Sequence, residues 1–392
     1  MAEKKNILIR IGSLRHGGAE KVLVTLLKNL PRDQYEIDLL LNLYSGKYLA
    51  DVPEWINILY LNKGEMITTN RPHEIPKKAA RVLYQGMLKR FPRLLYKGKL
   101  KNKKYDIEFA AIHGMRDEIL KSPLKSSKKI VWIHNDLSRV KGYTEKEIRK
   151  FFGFDRIMVI SEKIEQHFHS LAQNDAEHRK IIKIYNPLDT GEFIAKAEEP
   201  VLNYEFDKSV PTFLSVGTVF PQKGFDRLLK VHKRLLDEGF RHNILIVGDG
   251  YDFDNIRKLQ SDLALDETVT MMGFTDNPYP YFKQADFYML SSRYEGFPTV
   301  LFEAITLKKK IIATEVSGAG EMLMNGALGM LVENSEEGIY TGMKKALAQP
   351  QVFEPYVERL NHYEMPFTLE NSVSGIVSVL ESLFNLPSNP DQ

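Results

Sequence analysis

The sequence contains no cysteine. Disulfides, thiolate nucleophiles and cysteine-held metals are therefore excluded, and a reducing compartment such as the cytoplasm is the expected setting. No apolar run approaches the roughly 20 residues needed to cross a bilayer. The opening stretch Asn6–Ile11 is too short and too interrupted for a signal-peptide core, so no leader is expected. Neither half opens on a complete G-x-G-x-x-G, which disfavours a nicotinamide enzyme. What is present is ordinary for a globular chain. Its 392 residues, 43% hydrophobic and 27% charged, are enough for two domains with cores of their own.

The net charge of +3 hides an uneven distribution. Residues 61–104 hold 13 Lys and Arg against Glu65 and Glu74, a net +11 that leaves −8 for the rest. Within this block Leu83, Met87, Phe91, Leu94 and Leu95 form an apolar stripe. Lys77, Lys78, Arg81, Lys89, Arg90, Arg93 and Lys97 surround it, and Pro92 divides it into two short helices. A basic amphipathic segment of this kind, residues 76–104, can lie on an anionic membrane. It can equally pack on a core and leave its basic face in water. Nucleic acid is not expected, because no recognition motif or stacking platform accompanies the charge.

The chain opens twice in the same way. Strand Ile7–Ile11, a glycine loop and a helix from Ala19 are echoed about 205 residues later by strand Thr212–Val216, a glycine loop and a helix from Phe225. Each is the opening unit of a parallel α/β sheet. Short apolar runs follow both, as in strands buried on two faces. They are Ile130–Ile133, Ile157–Ile160 and Ile181–Ile184, then Ile244–Val247, Val269–Met272, Phe287–Leu290 and Ile311–Ala313. The Pro-, Gly- and charge-bearing stretch 186–204 reads as a linker. This predicts two Rossmann-like domains, 1–190 and 205–365.

The most informative run is Ser291–Ala304. Tyr294-Glu295-Gly296-Phe297-Pro298 reads as a loop and Thr299–Ile305 as a helix. The free N–H groups of that helix start form a seat for phosphate, with Glu295 just before it and Glu303 about two turns along. Gly217-Thr218-Val219-Phe220-Pro221-Gln222-Lys223-Gly224 follows the first strand of the second domain, where ligands of open α/β sheets bind. Lys223 places a cation there. Gly17-Gly18-Ala19-Glu20 lets backbone approach a bound group at another helix start. His134, after Ile130–Ile133, offers a hydrogen bond to a sugar hydroxyl. Asp252-Phe253-Asp254 has the spacing of a metal motif but reads as a helix cap. His167 and His169 face apart on a helix.

These motifs resemble those of the retaining GT-B glycosyltransferases of family 4, also called group 1. Glu295 and Glu303 resemble the family's E-x7-E pair. Lys223 resembles the basic residue on the donor diphosphate, while Thr218 stands where the family usually has arginine. Gly248-Asp249-Gly250, Phe274 after Gly273, Gly17-Gly18 and His134 also fit the pattern. Glu321 in Ser317-Gly318-Ala319-Gly320-Glu321 resembles a second-rank position near the sugar. The resemblance is strong over 205–335, moderate over the first loop and 130–190, and nearly absent over 45–125.

It implies a GT-B architecture of two doubly wound domains with an interdomain cleft, and a C-terminal helix of about 369–386 packing back on the first domain. It implies sugar transfer with retention, from a nucleotide sugar to a glycan or lipid-linked acceptor in cell-surface polysaccharide or glycolipid synthesis. Uridine diphosphate is the expected nucleotide, no metal or cofactor is expected, and peripheral attachment to the inner face of the cell membrane fits such an acceptor. Glu295, His134 and Lys223 are the implied catalytic residues. Gly17, Gly18, Thr218, Lys223, Gly248, Phe274, Glu295, Gly296, Phe297, Pro298, Thr299 and Glu303 are the implied donor contacts. Two alternatives keep the fold: a catalytically weak sugar-nucleotide-binding or scaffold protein, favoured by Thr218, and a sugar-nucleotide epimerase.

Overall fold

The computed structural model describes residues 4–15, 17–64, 75–365 and 368–384. The chain divides into two compact units. The first comprises the described residues within Met1–Ile160, Ile164–Leu188 and Phe367–Gln392, and the second Ser161–Lys163 and the described residues of Asp189–Pro366.

The first unit is built on a parallel sheet of seven strands. They are β1 Lys5–Ile11, β2 Tyr35–Tyr44, β3 Asn57–Lys63, β4 Ile107–Ala110, β5 Lys128–Ile133, β6 Arg156–Val159 and β7 Ile181–Lys183. Their order is β3-β2-β1-β4-β5-β6-β7, so the winding reverses between β1 and β4. Helix α1 Gly18–Asn29 follows β1, α2 Ile75–Arg90 and α3 Pro92–Gly98 precede β4, and α4 Arg116–Leu120 follows it. Leu8, Leu40 and Leu61 pack with Leu88 of α2 and Leu95 and Tyr96 of α3. Apart from Leu88, α2 is poorly covered. Val82 is 63% and Leu83 72% exposed, so much of the expected apolar stripe is bare. The C-terminal helix Leu369–Phe384 belongs to this unit, and the Tyr35 hydroxyl donates to Glu381 at 2.8 Å.

The second unit repeats the plan with β8 Thr212–Val216, β9 Asn243–Val247, β10 Val269–Gly273, β11 Phe287–Leu290, β12 Lys310–Thr314 and β13 Met330–Val332. The order β10-β9-β8-β11-β12-β13 reverses between β8 and β11. Phe213, Ile244, Ile246, Met289 and Ile312 pack with Leu228 and Leu229 of helix Phe225–Asp237. Each such leucine, fully buried, contributes roughly 1.5–3 kcal/mol.

The stretch 186–204 is not simply a linker. Helix Thr190–Ala197 forms there, because the Asp189 side chain accepts from Glu192 N–H at 3.0 Å and caps it. Phe193 then buries itself against Tyr279 and Phe302, a drive that the local polarity conceals. Asp252 does occupy the N-cap of helix Phe253–Asp262, but its side chain takes the Asn255 amide at 2.8 Å instead of a backbone N–H.

Candidate active site

In the second unit the candidate residues gather at the carboxyl ends of β8 to β12, around the point where strand order reverses. Lys223 ends a short turn after β8, followed by Gly224 at φ 68. A side chain at Gly224 would strike the Ser291 carbonyl, so the loop after β8 lies directly against the loop after β11. Three further bonds lock the two together. Ser291 Oγ donates to Lys223 O at 2.8 Å, Arg293 N–H to Gln222 O at 2.7 Å, and buried Arg227 to Ser291 O at 2.7 Å. Burial, then the nearby Arg293, lowers the Arg227 pKa to about 10.

This clamp brings Lys223 Nζ within 2.6 Å of Glu295 Oε1. The same oxygen accepts from Ser292 Oγ at 2.7 Å, and Gln222 Nε2 lies 3.3 Å from Oε2. The Lys223 chain crosses Gly217, with Cε 3.0 Å from where a side-chain carbon would stand. Glu303 is buried in helix Thr299–Thr306, the element that starts after Pro298. Glu295 and Glu303 share a neighbour in fully buried Tyr288. Burial, then Glu303, then Glu295, push its hydroxyl well above the ordinary tyrosine range.

The other glycine positions make close crossings. A side chain at Gly248 would hit the Gly217 carbonyl, and Gly248 N–H donates to Gly273 O at 2.8 Å, next to Phe274. Val219 N–H donates to Asp249 O at 3.0 Å, joining the Thr218 loop to the Gly248 loop. Gly318, at φ 76, lies against Gly296 and Phe297. Glu321 is engaged by the backbone N–H of Glu162 at 2.9 Å, within the same unit.

The first unit holds Gly17, Gly18 and His134. Gly17 caps α1, but the Glu20 carboxylate folds back into the space that a Gly17 side chain would occupy. Burial raises the Glu20 pKa against its own backbone N–H and Arg15. The anion seat of α1 thus already faces a carboxylate of the chain. His134 follows β5 and is buried, its ring 4.5 Å from Trp132. Nε2 lies 3.1 Å from Ala111 O, so Nε2 carries the proton and Nδ1 is a lone-pair acceptor without a partner. Burial, then His113, lowers its pKa to about 3, so the ring works as a neutral group.

Among the described residues no group of three or more His, Asp or Glu could hold a metal ion. Sequence reasoning missed Gln222, Ser292, Arg227 and the partnership of Gly318 with the Gly296 loop. The polar pair Ser291-Ser292 beside the loop was the available signal.

Comparison with known proteins decides the fold. Anabaena HepE, solved in complex with UDP and glucose, superposes with a TM-score of 0.71 at 16% identity, over 96% of this chain and 100% of that one. The fold is GT-B. WaaG, a glycosyltransferase involved in lipopolysaccharide biosynthesis, matches with a TM-score of 0.60 at 14% identity, over 95% and 99%. Residues 202–363 match the family model of the group 1 glycosyl transferases. An N-acetylgalactosamine-N,N'-diacetylbacillosaminyl-diphospho-undecaprenol 4-alpha-N-acetylgalactosaminyltransferase of Campylobacter jejuni is 27% identical, over 89% of this chain and 92% of the relative. The family match covers the Lys223, Glu295 and Glu303 cluster and supports glycosyl transfer on this GT-B frame.

Proposed function

We propose that the protein is a retaining glycosyltransferase that moves a sugar from a uridine diphosphate donor to a sugar-bearing, lipid-linked acceptor in surface-glycan synthesis. The observation that carries this reading is the Lys223–Glu295 pair, 2.6 Å apart at the reversal point of the second sheet. A nucleotide sugar offers an anionic diphosphate to one member and hydroxyl donors to the other. Binding exchanges an internal ion pair for two complementary contacts, while Ser292 and Gln222 keep the Glu295 carboxylate in place.

Glycosyl transfer breaks the bond from the sugar's anomeric carbon to diphosphate oxygen. Negative charge grows on the diphosphate and positive charge on the ring. Lys223 and the open N–H groups after Pro298 stabilise the first, and Glu295 faces the second. Retention follows if the acceptor hydroxyl attacks from the face that the diphosphate leaves, passing its proton to the departing phosphate oxygen. Glu303 accepts from ribose hydroxyls. No metal is needed in this scheme, because lysine and backbone dipoles carry the phosphate charge. The lipid-linked acceptor is supported by the Campylobacter relative's name and by the bare basic face of α2 and α3. The uridine nucleotide is supported by the HepE complexes.

The test is a panel of nucleotide sugars, scored by thermal shift and by donor hydrolysis with and without EDTA. A stabilising donor that is turned over under chelation supports the proposal. A donor that binds without turnover, even with lipid-linked acceptor, leaves the scaffold reading. Activity lost in EDTA and restored by magnesium would return Asp252 and Asp254 to consideration.

A further inference from the structure

Five buried side-chain atoms without hydrogen-bond partners stand near the carboxyl ends of β1, β4 and β5 in the first unit: Arg10 Nε, His113 Nδ1, Glu118 Oε2, Trp132 Nε1 and His134 Nδ1. Buried polar atoms are rarely left so, since each forfeits about 1–3 kcal/mol. Arg10 is the extreme case. It is the penultimate residue of β1, 3% exposed, and in register with Leu40 of β2 and Ala110 of β4. That is the reversal point of the first sheet, where open α/β sheets bind ligands. Among the described residues its guanidinium donates only to Asn42 Oδ1, at a long 3.4 Å.

We propose that Arg10, Asn42 and Glu118 form a sugar-binding subsite for the acceptor, a deepening that rests on the glycosyltransferase reading above. The Asn42 amide reaches Met115 Sδ at 3.8 Å, which ties the end of β2 to the start of α4. Glu118 stands one helical turn after Met115 and so shares its face. The carboxylates farther along the strands are committed. Glu108 already accepts from Tyr96, Ser127 and Lys129. Of the open atoms, the two on charged groups that act on each other are one donor, Arg10 Nε, and one acceptor, Glu118 Oε2. A phosphate would satisfy the first and be repelled by the second. A hydroxyl donates and accepts, and a ring with adjacent hydroxyls serves both at once. Lys89 Nζ, 3.5 Å from Glu118 Oε1 and 44% exposed, engages the other carboxylate oxygen and leaves Oε2 for the hydroxyl.

Saturation-transfer NMR on the full chain, with and without uridine diphosphate, tests this with the methyl glycosides of glucose, galactose and N-acetylgalactosamine as probes. At least one glycoside should bind at millimolar concentration. Glu118→Gln, which keeps the shape, and Arg10→Lys should each weaken it tenfold or more while uridine diphosphate affinity is kept. Wild type that binds none of the glycosides would overturn the proposal, the open atoms then being filled by water alone. Equal binding by wild type and the folded variants would overturn it too. Failure to bind uridine diphosphate counts against the donor reading instead, because the glycoside arm is read separately.

Discussion

Removing the Lys223 ammonium should cost activity far more than stability. Lys223 and Glu295 have 17% and 9% of their side chains exposed, so the pair is mostly desolvated. Breaking a buried pair often costs about 3–5 kcal/mol, because one charge is stranded. Here Glu295 keeps Ser292 at 2.7 Å and Gln222 at 3.3 Å, so the stability loss in Lys223→Ala should be nearer about 1–2 kcal/mol. A domain stable by about 5–15 kcal/mol remains folded. In the proposed reaction Lys223 is the cation on the departing diphosphate. Loss of one preorganised charge stabiliser costs about 100- to 1000-fold in kcat. The assay pairs release of uridine diphosphate with urea unfolding, for Lys223→Ala, Glu295→Gln and the double variant. The double variant should recover part of the stability and none of the turnover. Thr218→Arg should leave turnover equal or faster, by adding a cation to the same loop. Near wild-type kcat in Lys223→Ala, or turnover restored in the double variant, would refute the reasoning. Lys223 would then serve only to neutralise Glu295.

Glu303→Ala should weaken nucleotide binding at least tenfold by calorimetry, since charge-assisted bonds to ribose are worth roughly 1.5–3 kcal/mol each; unchanged affinity in a folded variant removes Glu303 from the site. His134→Ala should lower turnover much more than nucleotide affinity, and equal losses would place its lone pair on the nucleotide instead. The second unit should lose stability in acid. His232 Nδ1 meets His242 Nε2 at 2.7 Å in the core, and burial lowers the two pKa values to about 3 and about 4. Depressed histidines stay neutral in the fold but take protons when unfolded, so stability holds above the unfolded pKa of about 6.5 and falls below it, by up to about 1.4 kcal/mol per pH unit each. Urea midpoints at pH 7.5 and 5 check this, and a slope unchanged in His232→Gln/His242→Gln rejects it. Wild type should sediment with phosphatidylglycerol vesicles at low salt, while a Lys77, Arg90, Arg93 and Lys97 to Gln variant should not, at about 1 kcal/mol per charge; indifference of the wild type to anionic vesicles would favour a soluble acceptor.

Most strands legible in the sequence are short runs dominated by apolar residues, with only one or two polar breaks. Local pattern does not find β2, β3, β4 or β13. Glu36, Asp38 and Asn42 interrupt β2, and Asn62 interrupts β3. In β4 the break is Glu108, fully buried because Tyr96, Ser127 and Lys129 reach it from elsewhere in the chain. Long-range partners also hid the functional detail. Glu295 was visible as a carboxylate in a loop, but its lysine lies 72 positions away and its clamp depends on Arg227. The Gly17-Gly18 loop read as an open anion seat, whereas the Glu20 carboxylate had only to turn back one helical turn to face it. Polarity of 186–204 hid a helix whose purpose is to bury Phe193.

The two reversal points carry different chemistry, and the difference bears on which substrate each unit receives. At β8 and β11 the polar groups are charged and already paired, as Lys223 with Glu295. Such a site gains by exchanging partners, which requires a ligand with an anion and hydroxyls together. Around β1, β4 and β5 the histidines are held neutral by burial, and the unpaired atoms are single donors and acceptors. An anion entering there would meet the Arg10 guanidinium but be repelled by Glu118, and the imidazoles would gain no charge to offset that repulsion. Hydroxyls would fill the open positions without any charge imbalance. On the proposed function, the donor's diphosphate is therefore assigned to the second unit and an uncharged sugar ring to the first. Substitutions should divide in the same way. Those at Lys223, Glu295 and Glu303 should act on donor binding and on the departing phosphate. Those at Arg10, Glu118 and His134 should act on the acceptor and leave nucleotide affinity nearly untouched.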